Sequence, residues 1–200
     1  MVALVSEASP VVSSLLQETT RFAVLRGAQI EPYIRQIVDL HLAVFKELPY
    51  LYDGTVEEYW PVIKLYADSA EGIACLLFDG ETLVGAATGA PLNAMPKAYQ
   101  TPFQGPIGEI FYLGEEVLLG GYRGQHYGAQ LYHQFVRAIP GSFKTIAFCR
   151  IEESADPPFN AVLRKHGFVE QKDKVVEFLW RNVGSKEEIP HKMVYWIKDL

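Results

Sequence analysis

The stretch that decides the fold is VLLGGYRGQHYGAQLY, residues 117–132. It starts as an apolar run typical of a β-strand, turns through Gly120, Gly121, Gly124 and Gly128, and continues as an amphipathic run typical of a helix. A strand that turns through glycines into a helix directs unpaired backbone N–H groups and the positive end of the helix dipole to one point. Such a corner is suited to binding phosphate.

Two nucleotide-binding motifs fail at this corner because their spacing differs. The P-loop needs a Lys and a Ser or Thr directly after its last glycine, and none of these glycines has those neighbours. The dinucleotide fingerprint needs G-x-G-x-x-G, whereas the glycines here stand at positions 121, 124 and 128. A glycine-rich turn that holds no ligand remains the alternative interpretation.

The composition predicts a globular protein with one core. With 200 residues, 49% of them hydrophobic, the chain can bury a sizeable core without disulfides or metals. We expect one domain over residues 21–200, preceded by a partly helical leader over residues 1–20. Cys75 and Cys149 lie singly in apolar segments without CxxC spacing, which argues against a disulfide or a zinc site.

Charge and hydropathy exclude several classes of partner. The formal net charge of −6 argues against binding nucleic acid or an anionic membrane, because both require basic surfaces, and it leaves open a cationic substrate. No run of the sequence is apolar enough to span a bilayer, and the N-terminus lacks the basic start of a signal peptide. We therefore expect a cytoplasmic protein.

The elements predicted from hydrophobic periodicity alternate between helix and strand. They are a strand at 21–28, helices at 30–48 and 56–69 (the second bent at or started by Pro61), a hairpin over 72–92, a connector at 93–106, a strand at 108–119, a helix at 124–139, a strand at 143–149, a helix at 159–168, and strands at 175–180 and 192–200. Asp156 is the expected N-cap of the last helix, with Pro157 at its first position.

Two motifs give this order a family resemblance. YRGQHYGA, residues 122–129, resembles the [QR]-x-x-G-x-[GA] pyrophosphate loop of the GNAT acetyltransferases, with Arg123 first, Gly128 last and His126 in place of the middle glycine. KHGFVE, residues 165–170, is similar to the GF signature of the same family. The resemblance extends from about Arg21 to Leu200 and implies an α+β fold: a mixed, mostly antiparallel sheet, with helices on both faces, that splays between its fourth and fifth strands.

The resemblance also implies an activity, the transfer of an acetyl group from acetyl-CoA to a primary amine. No metal is expected, the acceptor is a small-molecule or peptide amine, and a homodimer remains open. The pantetheine arm would lie along Leu118, Leu119 and Gly120. The pyrophosphate would bind at Arg123, Gly124, Gln125, His126, Tyr127, Gly128 and Ala129, with Asn160 as a further candidate for the cofactor.

The acceptor amine must lose a proton before it attacks, and Tyr112, Glu115 and Glu116 are the candidate bases on the fourth strand. Strict alternation places Glu116 on the face of Tyr112 and Glu115 on the opposite face, and this favours Glu116 slightly. A bulge at Gly114 would reverse the two faces. Leu163 stands where the family has its general-acid tyrosine, so that role is vacant or is filled by His126, Tyr127 or Cys149.

The segment ELPYLYDGTVEEYW, residues 47–60, is the expected acceptor region. Tyr50, Tyr52 and Asp53 are its candidate substrate-binding residues, and they suit a ligand with an apolar body and a cationic amine. The alternative is that its aromatic residues belong to the core. At the level of the whole protein, the alternative to an enzyme is a non-catalytic module that binds acyl-CoA.

Overall fold

The structure is a computed structural model that describes residues 20–152 and 158–200. Residues 1–19 of the expected leader and the expected N-cap Asp156 with Pro157 lie outside the described residues. Thr20, the last residue of that leader, begins the first strand.

Seven strands and five helices follow one another along the described chain. Their bounds are β1 Thr20–Arg26, α1 Ile34–Phe45, α2 Val56–Asp68, β2 Ile73–Asp79, β3 Thr82–Pro91, α3 Lys97–Gln100, β4 Ile110–Leu118, α4 Tyr127–Ala138, β5 Thr145–Ile151, α5 Pro158–Lys165, β6 Val169–Arg181 and β7 Glu188–Asp199. Short 3-10 turns precede α1 (Gly27–Tyr33), follow β3 (Leu92–Ala94) and follow β4 (Gly120–Tyr122).

The strands form one mixed sheet in the order β1-β2-β3-β4-β5-β7-β6. Every neighbouring pair is antiparallel except β4 and β5, which are parallel. The last strand, β7, therefore lies inside the sheet between β5 and β6. The α+β fold class and the mostly antiparallel sheet predicted from the sequence are confirmed.

Helices cover both faces of the sheet. Apolar residues of α1 and α2 pack on one face, which we call the α1/α2 face, and α4 packs on the other, which we call the α4 face. Strand β2 shows why its run IACLLF is apolar throughout: Ala74 and Leu76 are buried on the α1/α2 face, while Cys75 and Leu77 are buried on the α4 face.

Helix α2 begins at a capping box. The Thr55 hydroxyl accepts a hydrogen bond from the Glu58 amide at 3.3 Å, and the Glu58 carboxylate accepts one from the Thr55 amide at 2.8 Å. These bonds satisfy two amides that a helix start leaves unpaired. The helix thus begins at Val56 and contains Pro61, so the prediction that Pro61 starts it is wrong.

The predicted hairpin is confirmed, with β2 and β3 joined through Gly80 at a φ of 57°. Several predicted boundaries are wrong, among them the start of β7, which lies at Glu188 and not at residue 192. Helix α4 begins at Tyr127, not at residue 124, because Gly124 and His126 both have a positive φ. Strand β6 begins at Val169, not at residue 175, because a register shift between Gln171 and Val175 lets the strand pair on both sides of the irregularity.

Within the described residues, no helix is both long enough and apolar enough to cross a bilayer.

Candidate functional site

The candidate site lies where β4 and β5 separate. The two strands pair only from Ile110 to Tyr112, opposite Thr145 to Ala147. Both then continue without pairing to each other, β4 to Leu118 and β5 to Ile151, while β4 stays paired with β3. The β5-facing edge of β4 is therefore open along the second half of the strand, and the sequence-based expectation of a splay at this place is confirmed.

A β-bulge at Gly114 decides which face each β4 side chain occupies. Thr88 of β3 pairs with Glu115, and the next residue, Gly89, pairs with Leu113, so Gly114 is the extra residue. A Cβ atom at position 114 would overlap the Tyr66 hydroxyl, which explains the glycine. Glu115 consequently lies on the same face as Tyr112. The prediction from strict alternation, which placed Glu116 there, is wrong.

Glu115 is a buried carboxylate surrounded by hydroxyl groups. Its side chain, on the α1/α2 face, accepts hydrogen bonds from the hydroxyls of Tyr59 and Thr88, and Tyr66 is a third partner. The residue is only 2% exposed. Burial raises its pKa to about 7, against the opposing effect of these hydrogen bonds. Glu115 can therefore exchange a proton near neutral pH.

Glu116 lies on the α4 face and is exposed in the gap. A Cβ atom placed on Gly128 would lie 3.8 Å from Glu116 Oε1, so the carboxylate sits beside the first turn of α4. Desolvation raises the pKa of Glu116 above its ordinary value. The structure thus separates the two acids, one on each side of the sheet.

Tyr112 lies at the point where the strands part. Its hydroxyl is 3.2 Å from the Sγ atom of Cys149 on β5. Burial raises the pKa of Tyr112 well above its ordinary value and the pKa of the Cys149 thiol to about 12. Both groups stay protonated at neutral pH, and neither can act as a base there.

The glycine-rich segment after β4 is held in place from three sides. The Leu119 amide donates to Val84 O of β3 at 2.9 Å, and the Tyr122 hydroxyl donates to the Asp79 carboxylate at 2.6 Å. Arg123 donates from Nε to Leu118 O at 3.0 Å and pairs through Nη1 with Glu47 at 2.6 Å. The segment therefore has a defined shape without a ligand.

This segment leaves a row of backbone donors free. Among the described residues, the amides of residues 124–129 have no backbone acceptor, and the next amide, that of Gln130, bonds to His126 O. A Cβ atom at Gly120, Gly121 or Gly124 would meet no atom within 4 Å. Internal packing thus does not explain these three glycines. The backbone explains one of them, because Gly124 has a φ of 76°, which favours glycine. Acceptor-free amides at a helix start, next to glycines that no other part of the described chain crowds, fit an anionic group such as pyrophosphate.

His126 takes over the backbone geometry of the glycine that it replaces. Its φ is 65°, in the left-handed region that non-glycine residues seldom adopt. As the N-cap of α4, it forms no side-chain capping bond. The departure from the motif therefore leaves the turn intact.

On the α1/α2 face, the segment between α1 and α2 packs against β6. Asp53 donates its amide to Arg181 O at 2.9 Å, and the Trp180 indole donates to Tyr50 O at 3.2 Å. Tyr50 and Tyr52 are half-buried, and burial raises the pKa of each to about 12. Aromatic rings continue from here towards Glu115 through Tyr59, which stacks on His41 at 3.5 Å between centroids.

Three residues of this site were not singled out from the sequence. Tyr66 and Thr88 hold Glu115, and Arg150 donates to the Asn160 amide oxygen. Each contact joins two different elements, including that of Arg150 on β5 with Asn160 on α5, so no pattern within one element could have revealed them. Asn160 and Leu163, both on α5, are buried. No group of three or more His, Cys, Asp or Glu in the described parts of the chain is placed to hold a metal ion.

Solved acetyltransferase structures resemble this chain over most of its length. An acetyltransferase from Streptococcus agalactiae superposes with a TM-score of 0.60 at 15% identity, over 92% of this chain and 99% of the other. An acetyltransferase of the GNAT family from Staphylococcus aureus gives 0.59 at 14% identity, over 90% of this chain and 99% of the other. The chain has the GNAT fold.

A third GNAT-fold structure is the ribosomal-protein-alanine N-acetyltransferase from Brucella melitensis, with a TM-score of 0.60 at 13% identity, over 89% of this chain and 99% of the other. No family model matches the sequence, and no curated protein sequence does. Since the identities are low, the likeness establishes the GNAT fold, including the splay that forms the candidate site.

Proposed function

We propose that this protein is an acetyl-CoA-dependent N-acetyltransferase that transfers an acetyl group to a primary amine, within one GNAT domain over residues 21–200. The observation that carries the proposal is the arrangement at the splay. Acceptor-free amides 124–129 lie on one side of the gap, and a buried carboxylate, Glu115, lies on the other. The first suits a phosphorylated cofactor, and the second suits removal of a proton from an amine.

The cofactor would lie along the open edge of β4. Leu118, Leu119 and Gly120 would pair with the pantetheine arm as an added strand does, and residues Arg123 to Ala129 would hold the pyrophosphate. Support comes from the unpaired edge of β4 after Tyr112 and from the open space in front of Gly120, Gly121 and Gly124. When bound, acetyl-CoA supplies the thioester that a neutral amine attacks. This co-substrate is also the reason to expect a cytoplasmic protein.

Glu115 is the base that we favour. A Lys-like amine has a pKa near 10.4 and arrives protonated, so the site must take up a proton, directly or through water. Glu115, with its pKa raised to about 7, can accept it near neutral pH, and the hydroxyls of Tyr59 and Thr88 fix its orientation. Glu116 lies on the other face of the sheet, and the Tyr112 hydroxyl stays protonated.

The acceptor would enter from the α1/α2 face, past Tyr50, Tyr52 and Asp53. The half-buried aromatic rings there suit an amine with an apolar body, either a small molecule or the end of a peptide. Glu115 would lie at the inner end of this path, where its negative charge suits the cationic amine before the amine gives up its proton.

A non-catalytic module that binds acyl-CoA is the second candidate. Leu163 favours it, because this buried apolar side chain stands at the position where the family resemblance implies a proton-donating tyrosine. The leaving thiol, however, resembles Cys in its pKa of about 8.5, so transfer can proceed without a strong acid.

Two measurements test the proposal. Calorimetric titration with CoA measures binding, and release of free thiol from acetyl-CoA in the presence of a panel of primary amines measures transfer. Binding together with transfer to at least one amine supports the enzyme. Binding without transfer to any amine favours the module, and absence of CoA binding contradicts both.

A further inference from the structure

Glu116 interrupts a row of apolar side chains. On the α4 face of β4, Phe111, Leu113 and Leu118 pack into the core beneath α4. Glu116 continues this row, but it is exposed in the gap. An apolar residue would satisfy the packing of this face, so packing does not explain a carboxylate at this position.

The carboxylate of Glu116 lies beside the amides that the cofactor would use. Its Oε1 atom is 3.8 Å from the position of a Cβ atom on Gly128, in the first turn of α4. The positive end of the α4 dipole and its free amides attract negative charge to this turn. In the protein without ligand, the carboxylate of Glu116 lies beside this turn.

In the described parts of the chain, no cation pairs with the carboxylate of Glu116. Within residues 20–152 and 158–200, Glu116 takes part in no ion pair and no hydrogen bond. Burial, followed by the charge of Glu116, raises the pKa of Tyr132 on α4 to about 12. The basic residue of the loop, Arg123, is instead paired with Glu47 and with Leu118 O. A second anion at the first turn of α4 would therefore meet Glu116 without a screening partner.

We propose that Glu116 is an internal competitor of the cofactor pyrophosphate, which weakens CoA binding and so favours release of the product CoA. The inference rests on the proposed function, since it assumes that the pyrophosphate uses the amides at the start of α4. Two negative charges at one helix start repel each other, and product release limits the turnover of many enzymes.

Calorimetric titration of CoA at pH 8, where Glu116 is ionised, tests this inference. Glu116→Gln keeps the shape of the side chain and removes its charge, so it should bind CoA at least threefold more tightly than the wild type. Glu187→Gln is the matched control, because it removes one negative charge from an exposed position in the β6–β7 turn. Its CoA affinity should equal that of the wild type.

Each outcome has a defined meaning once thermal melting has shown that the variants fold. Tighter binding by Glu116→Gln alone supports competition. Equal or weaker binding overturns it, and weaker binding would instead indicate that Glu116 accepts a hydrogen bond from the cofactor. An equal gain in both variants also overturns it, because net charge would then be the cause. If the wild type binds no CoA, the proposed function itself fails.

Discussion

At the scale of single residues, Glu115 and Glu116 are neighbours in the chain with different surroundings. Glu115 is enclosed by hydroxyls on the α1/α2 face, and Glu116 is open to the gap on the α4 face. Both have a raised pKa, but a base needs more than a suitable pKa. It must also lie on the side from which the amine arrives.

We predict that Glu115→Gln lowers kcat at least about 10²-fold, the usual scale for a general base, and changes CoA affinity little. Only the ionised carboxylate accepts a proton. Because its pKa is raised to about 7, the wild-type rate should be low below that pH and rise as the pH passes through it. A pH–rate profile should show this transition near pH 7 for the wild type, whereas the rate of the variant should rise only as the amine itself loses its proton, towards its pKa near 10.4.

Glu109→Gln is the control for this experiment, because Glu109 is exposed directly before β4. It should leave both the rate and its pH dependence unchanged. An active Glu115→Gln enzyme with a wild-type pH profile would show that the proton leaves through water or through the substrate itself.

His126→Gly tests the left-handed turn at the start of α4. A non-glycine residue at a φ of 65° is strained by about 1 kcal/mol, and glycine adopts this geometry freely. We expect the free energy of unfolding, measured with urea, to rise by about 0.5–1 kcal/mol. Gln125→Gly, at a neighbouring residue without a positive φ, should lower it. A loss of stability in both variants would mean that the His126 side chain stabilises the loop.

At the scale of elements, the glycine-rich turn over residues 120–128, which we call the glycine corner, gains its properties from the junction of β4 with α4. The free amides 124–129 belong to the turn and to the first turn of the helix together. Neither element alone would present them at one point. A side chain added at this junction should therefore affect the ligand more than the fold.

Gly128→Val should weaken CoA binding at least tenfold, about 1.4 kcal/mol, because the side chain would occupy the space in front of the amides. The protein should stay folded, since outside the backbone of α4 the nearest described atom to the new Cβ atom is Glu116 Oε1, at 3.8 Å. His133→Val, on the exposed part of α4, is the control and should bind CoA normally. Equal affinity of Gly128→Val and the wild type in calorimetry would discard the phosphate-binding role of the corner.

Local signals predict some elements of this fold well and others poorly. The Asp79-Gly80 turn between two apolar runs marks the β2–β3 hairpin, and the glycines of residues 120–128 mark the junction of β4 and α4. Such features are predictable because a residue and its near neighbours determine them. The bulge at Gly114 depends on the Tyr66 hydroxyl, which comes from α2 and occupies the space of a side chain. The period of the strand cannot reveal that contact, so alternation placed the two glutamates on the wrong faces.

At the scale of the whole molecule, the sheet places the last strand in its interior. Strand β7 pairs along one edge with β5 and along the other with β6. It also supplies Tyr195 to the core of the α1/α2 face and Trp196 to the core of the α4 face, with 0% and 1% of their surface exposed. The two halves of the protein around the splay therefore depend on the end of the chain.

We predict that deletion of residues 190–200 gives insoluble or unfolded protein. The deletion removes most of β7 and leaves the backbone groups of β5 and β6 that face it without partners.

Two full-length variants measure the same dependence on β7 in soluble protein. Trp196→Ala should lower the free energy of unfolding by about 3–5 kcal/mol, whereas Leu179→Ala on β6, where the side chain is 64% exposed, should change it by less than about 0.5 kcal/mol. Urea denaturation gives both values. A truncated chain that stays soluble and melts cooperatively would show that β1 to β6 fold without β7, and the splay would then have to be held open by α4 and α5 alone.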